Sequence, residues 1–392
     1  MIPAVLPTYA RTEVTFERGE GAYLFDTAGR KYLDFASGVA VTALGHSHPH
    51  LVEALVQQGQ KLWHCSNLHP IPGQQRAAER LVAASFADTA FFCNSGAEAM
   101  ECVIKVARKY HAATGHPERD RIIACTGSFH GRTLATLAAA GNEKYLAGFG
   151  QPAPGFDHVA YGNLNEMRAA ITNETAAILV EPVQGEGGLS VAPVDYLKGL
   201  RQIADEFGLL LLFDEVQSGM GRTGRLFAHQ WAGITPDVMG LAKGLGGGFP
   251  VGACLATERA AVGMTPGTHG STFGGNPLAM AIANAVLDVM LEPGFLPRVE
   301  RMAQLLRQRL DALATAHPAI FAEARGKGLL VGFKCVVPNG EVVDRLRHAG
   351  LLTVAAGENV IRLLPPLIID EQQIAEAAEI IDTVARQWTS RT

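Results

Sequence analysis

Between Thr89 and Asp214 the chain alternates short apolar runs with longer segments of helical spacing. Thr89–Cys93, Arg121–Thr126, Ala176–Glu181 and Leu209–Asp214 read as strands, each too short and too uniformly apolar for an amphipathic helix. Glu98–His111 and Tyr196–Phe207 carry apolar positions three and four apart and read as helices. Strands alternating with helices predict an α/β domain with a mainly parallel sheet. Before this block, His50–Lys61 and Gly73–Phe86 read as helices. Ala22–Phe25 and Lys31–Phe35 flank the turn signal Asp26-Thr-Ala-Gly29 and predict a hairpin. After it, helices over Pro277–Leu291 and Leu296–Ala316 lead to strand-like segments at Gly328–Cys335, Thr353–Ala355 and Val360–Leu364. Glu371–Trp388 closes as a helix. The expected organisation is an N-terminal arm joined to a small domain (1–46), a large domain (47–280) and a C-terminal small α+β domain (281–392).

Composition narrows the function classes. The chain has 392 residues, 48% of them hydrophobic, enough for a large core. Its net charge is −5 without a long basic run, which argues against nucleic acid as a partner. No stretch is long and apolar enough to suggest a membrane span, and the first residues lack a signal-like pattern, so the expected compartment is the cytoplasm. The six cysteines form no CxxC pair and read as reduced, mostly buried thiols. His46, His48 and His50 lie close together, but no cysteine or carboxylate completes a ligand set. Pro49 suits a first helical turn, so a loop and helix start are expected and no metal.

Candidate chemistry centres on Val238–Phe249, VMGLAKGLGGGF. One lysine, Lys243, ends an apolar run and precedes a glycine run. A desolvated lysine amine can condense with a carbonyl, and the glycines leave space for a flat ligand. Four other stretches are placed with it, at the carboxyl ends of strands, where open α/β sheets bind ligands. Asn94-Ser-Gly-Ala97 suits a phosphate at a helix start, and equally an ordinary N-cap. Asp214 could hold a ring nitrogen protonated or cap a turn, and Gln217 could reach a phenolic oxygen. In Gly127-Ser-Phe-His-Gly-Arg-Thr133, Phe129 could stack on a ring and Arg132 could fork onto a carboxylate. Ser271-Thr-Phe-Gly-Gly275 puts hydroxyls beside glycines. The GxGxxG of Gly219–Gly224 does not directly follow its strand or open a clear helix, which argues against a dinucleotide site.

Taken together, FFCNSGAEAMECVIKVAR, GSFHGRT, EPVQGEGG, LLLLFDEVQSGMGRTG, LAKGLGGGFPVGA and GSTFGGNPLA resemble the class III pyridoxal-phosphate aminotransferases over nearly the whole chain. The resemblance implies a fold type I homodimer with active sites at the subunit interface. It implies that Lys243 binds the cofactor aldehyde, that Ser95, Gly96 and Ala97 hold its phosphate, and that Thr272 comes from the neighbouring subunit. Phe129 covers the ring, Asp214 pairs with the ring nitrogen and Gln217 meets the phenolic oxygen. Arg132 takes a substrate carboxylate with Ser271 nearby, Arg362 takes the α-carboxylate of glutamate or 2-oxoglutarate, and Glu186 pairs with that arginine. GLLTVAAGENVIRLLPPL resembles the acetylornithine branch more than the ornithine branch. The implied substrates are therefore N-acetylornithine and 2-oxoglutarate. Ornithine, N-succinylornithine, succinyl-diaminopimelate and 4-aminobutyrate are alternative donors, and aminomutase or decarboxylase chemistry is an alternative class.

Overall fold

The computed structural model describes residues 2–389. Three antiparallel strands open the chain: β1 (Phe16–Glu20), β2 (Tyr23–Asp26) and β3 (Lys31–Asp34). The predicted hairpin is β2–β3. The Asp26 side chain holds its turn, accepting N–H bonds from Ala28 at 3.0 Å and Arg30 at 2.8 Å.

Next come β4 (Thr89–Cys93), β5 (Arg121–Cys125), β6 (Phe156–Val159), β7 (Thr175–Val180), the short ribbon β8 (Val183–Gln184) and β9 (Ser190–Val191), then β10 (Leu210–Asp214), β11 (Val238–Leu241) and β12 (Gly252–Ala256). Seven of these form one sheet in the order β4-β12-β11-β10-β7-β5-β6. Only β12 runs against its neighbours, so the sheet is mainly parallel as expected. Successive strand residues feed two cores. Ile123, Ile178, Leu211 and Met239 join one, while Ile122, Leu179, Leu212 and Val238 join the other. A sheet covered on both faces needs apolar residues at every position, which is why its central strands are unbroken apolar runs.

The remaining strands are β13 (Phe321–Lys327), β14 (Leu330–Cys335), β15 (Leu351–Leu352), β16 (Val354–Ala356) and β17 (Val360–Leu363). An antiparallel sheet has the order β13-β14-β17-β16, while β15 pairs in parallel with β3. Strands near the two ends of the chain thus share a sheet. The helix Pro277–Met290 packs on Pro49–Gly59 and Pro72–Ala84.

The predicted helices form within a few residues of their expected ends. Sequence pattern missed β6, β12 and β13. β6 (FDHV) and β13 (FAEARGK) are edge strands rich in polar residues, and β12 (GACLA) is built of small ones. One placement needs correction. Ser271–Gly275 does not end a strand: the Glu258–Ala261 helical turn and a loop separate it from β12.

The histidine cluster diverges. His46 pairs with Asp34 at 2.7 Å, His50 pairs with Asp288 at 2.9 Å, and Pro49 begins a helix. The GxGxxG stretch opens no helix. Its Arg222 is buried and donates to the carbonyls of Leu329, at 3.1 Å, and Pro365 at 2.5 Å, clamping this loop to the C-terminal strands. Among the described residues no single helix is long and apolar enough to cross a membrane.

Candidate active site

Strand β11 delivers its lysine to the end of the sheet. Lys243 follows at once and starts a single 3₁₀ turn with φ +42°. That left-handed backbone is uncommon for a residue with a side chain, and such conformers cluster at functional sites. Burial pushes the Lys243 amine down to about 8. The Arg362 guanidinium pushes the same way, against the Glu186, Asp214 and Glu181 carboxylates. About a tenth of the lysine is therefore the free amine at pH 7, far more than for a lysine in water.

Asp214 ends β10 on the same edge of the sheet. Its carboxylate accepts the N–H of Val216 at 3.0 Å and contacts Nδ1 of His130 at 2.7 Å. Both side chains are sealed, His130 at 0% and Asp214 at 3% exposure. The His130 Nε2 has no partner.

Lys243 and Asp214 line one cavity of about 420 Å³. Ser95, Gly96, Ala97, Phe129, Arg132, Glu186 and Gln217 line it too. Asn94–Ala97 is the junction between β4 and the 18-residue helix Gly96–Ala113. Ser95 is the N-cap, its hydroxyl accepting the Glu98 N–H at 3.2 Å. The N–H groups of Gly96 and Ala97 stay free in the first turn, the arrangement that attracts an anion. A Cβ on Gly96 would come within 2.7 Å of Val216 Cγ1, so only glycine fits there without a shift.

Arg362, on β17, is 1% exposed and reaches the site from the antiparallel sheet. It pairs with Glu186 at 2.8 Å and donates to Gln217 Oε1 at 3.3 Å and the Ala355 carbonyl at 3.3 Å. Glu186 sits in the β8–β9 turn, whose backbone carbonyl accepts the Gly357 N–H at 2.8 Å. Arg132 is exposed, its guanidinium 3.8 Å from the Tyr145 ring centroid.

Three candidates do not line this cavity: Arg362, which meets it through Glu186 and Gln217, and Ser271 and Thr272. Ser271 Oγ accepts the Gly274 N–H at 2.9 Å and contacts the Asn94 amide at 3.3 Å, behind the phosphate-like cradle. Thr272 is exposed. Among the lining residues given no role in the sequence are His130, Glu181 and Val216. Glu181 follows β7, is fully buried and accepts the Phe129 N–H at 3.0 Å. Burial, reinforced by Asp214, pushes its carboxyl well above the usual range. His130 and Glu181 lie inside stretches already singled out. Their position at strand ends was the available signal.

The residues fit pyridoxal 5′-phosphate on three independent grounds. A desolvated lysine, a buried carboxylate and a helix start with two spare N–H groups face one cavity. The family model described as Aminotransferase class-III matches residues 6–385.

The chain belongs to the class III aminotransferases.

This aminotransferase is 60% identical over 384 residues to acetylornithine aminotransferase 1 of Bradyrhizobium diazoefficiens, covering 98% of this chain and 93% of that protein. Among solved structures it superposes on N-acetylornithine aminotransferase of Stenotrophomonas maltophilia with a TM-score of 0.85 at 36% identity, covering 98% of each chain. It superposes more closely on Toxoplasma gondii ornithine aminotransferase, with a TM-score of 0.93 at 31% identity, covering 99% of this chain and 93% of that one. That structure has pyridoxal phosphate in partial occupancy at the active site. The fold is the α/β architecture of these enzymes, and pyridoxal 5′-phosphate is the cofactor of this aminotransferase.

Proposed function

We propose that this class III aminotransferase moves the ω-amino group of N-acetyl-L-ornithine to 2-oxoglutarate in a ping-pong cycle. The products are N-acetyl-L-glutamate 5-semialdehyde and L-glutamate, a step of arginine synthesis. The observation that carries the two-substrate reading is the Arg362–Glu186 pair at 2.8 Å beside Lys243. The name of the B. diazoefficiens relative supports the choice of donor.

Lys243 holds the cofactor aldehyde. Gly96 and Ala97 hold its phosphate with their spare N–H groups, and the Ser95 hydroxyl lies beside them. Phe129 would cover the ring, Asp214 would pair with the ring nitrogen and Gln217 with the phenolic oxygen. When bound, the cofactor supplies an electron sink for the substrate carbon. His130 donates Nδ1–H to Asp214, keeping that carboxylate aimed. Lys243 Nζ, once freed, would take the proton from the amino-bearing carbon of the donor as base and, as acid, pass it to the cofactor's former aldehyde carbon instead of back to the donor.

Arg132 takes the donor's carboxylate at the mouth. With an ω-amino donor bound, Glu186 stays on Arg362 and neutralises it. With 2-oxoglutarate bound, Glu186 gives way and Arg362 takes the α-carboxylate. An unpaired buried arginine is strongly unfavourable, so one partner must always be present. The protein works as a cytoplasmic homodimer. Thr272, exposed on its own chain, reaches the neighbouring site's phosphate with Ser271 beside it. Trp63, Leu68 and Phe273 are large exposed apolar side chains of the kind a subunit interface covers.

The test is a panel of ω-amino donors with 2-oxoglutarate, ranked by initial rate of glutamate formation. N-Acetylornithine should lead. A preference for free ornithine overturns the donor assignment, and no glutamate with any donor overturns the transfer itself.

A further inference from the structure

A second cluster of reactive groups lies on the far side of β4 and β12 and shares no lining residue with the active-site cavity. Cys254 is in the middle of β12, and Cys102 is on the helix that crosses it. Both are buried, at 3% and 1% exposure, pack in the same core cluster and line the same cavity. The His269 ring also faces Cys102. It lies 4.6 Å from the Phe91 ring, and its Nδ1 contacts Lys105 Nζ at 2.8 Å. A lysine ammonium donating to Nδ1 leaves the proton on Nε2, so that edge of the ring is a donor toward sulfur. A cavity of about 390 Å³ runs between these thiols and the loop Met264–His269. It gives a small molecule room to reach them.

The other buried thiols lack this setting. Cys93 donates to the Ser95 carbonyl at 3.5 Å, and burial pushes it up to about 12. Cys125 is pushed up to about 11 and Cys335 to about 12, also by burial. Cys102 goes the other way: the Cys254 thiol donating to it is the largest influence, with His269 and Lys105 adding to it. Cys254 is correspondingly raised. Cys102, one helical turn from Lys105, is thus the sulfur beside the cationic side chain, and Cys254 is its buried neighbour on β12.

We propose that Cys102 is a hydroperoxide-reactive thiol and Cys254 its resolving partner, forming a reversible modification site separate from the transamination site. The Cys102 thiolate attacks the outer oxygen of the hydroperoxide. The O–O bond breaks, an alcohol or water leaves, and Cys102 becomes a sulfenic acid. The Cys254 sulfur then attacks the Cys102 sulfur, the S–O bond breaks and water leaves, giving a disulfide. Two thiols lose two electrons and two protons, and the hydroperoxide takes them up. The bond joins β12 to the helix whose first turn lies at the cofactor cavity.

The test uses holoenzyme and hydrogen peroxide. Digestion without reductant should yield linked Cys102 and Cys254 peptides, the intact chain should be lighter by two hydrogens, and a dithiol reductant should restore it. Cys254→Ser should stop at a sulfenic acid on Cys102, trapped by dimedone, while Cys102→Ser should leave Cys254 unlabelled. His269→Asn should slow the reaction about tenfold by removing the donor to sulfur. The site is overturned if wild-type holoenzyme forms no such link, if half-buried Cys65 is the main residue oxidised, or if Cys102→Ser transfers the label to Cys254.

Discussion

Two side-chain pairs flank Lys243, and they are built in opposite ways. Asp214 and His130 come from strand ends of one sheet, both shut off from water and 2.7 Å apart. Arg362 and Glu186 come from different sheets, and while Arg362 is 1% exposed, Glu186 is 33% exposed. The first pair has nowhere to go. In the second, one member sits on a short ribbon turn open to solvent, so it can leave if another carboxylate replaces it. Under the proposed function, the first region is preorganised for a single cofactor and the second, being breakable, serves two substrates.

The contrast can be tested from its strongest consequence to its weakest. Lys243→Ala removes the group both regions serve. Turnover should fall on the order of 10⁴-fold, the upper range for losing an acid–base group, with loss of the visible absorption of bound cofactor. Near-normal turnover would remove Lys243 from the chemistry. On the rigid side, Asp214→Asn keeps the shape but deletes the charge. It should lower kcat about 100-fold with both substrates alike, measured in each half-reaction separately. A loss confined to one half-reaction would show that the two regions are not distinct. On the breakable side, Glu186→Gln should weaken the ω-amino donor half-reaction about tenfold and leave the 2-oxoglutarate half nearly untouched. Equal loss in both halves would refute the switch.

The smallest effect is on pH. Lys243 stands lowered to about 8, so the neutral amine grows as pH rises toward that value. Capture of pyridoxal phosphate by apoenzyme should quicken by about tenfold per pH unit below 8 and level off above it. The sign for stability is the same. Below about 8 the apoenzyme holds a charged lysine away from water. As pH climbs toward the ordinary lysine value the unfolded chain binds the extra proton, so the fold gains stability. A capture rate flat from pH 6 to 9 would mean the amine is not desolvated in solution.

Much of the rigid region was legible in the chain. β4, β5, β7 and β10 announce themselves because a sheet covered on both faces has no polar positions, and the residues that follow them stand out. Lys243, Asp214 and Asn94–Ala97 were therefore singled out from local pattern alone. The breakable region was not legible that way. Arg362 by itself resembles a charge at the edge of a strand and Glu186 a turn residue. Only a family resemblance paired them, because they are far apart in the chain and belong to different sheets. His130 and Glu181 were hidden for another reason, since burial and a bonding partner are properties of the assembled site.

Periodicity determined the layered α/β architecture, since one turn of helix and two residues of strand each repeat on a length shorter than the segments themselves. The order of seven strands, the reversal of β12 and the sharing of a sheet by β3 and β15 were decided by tertiary packing. So was the chemistry of Lys243. A lysine before glycines is an ordinary cation in water. Its amine is lowered to about 8 only because the folded chain removes the water that would keep it charged.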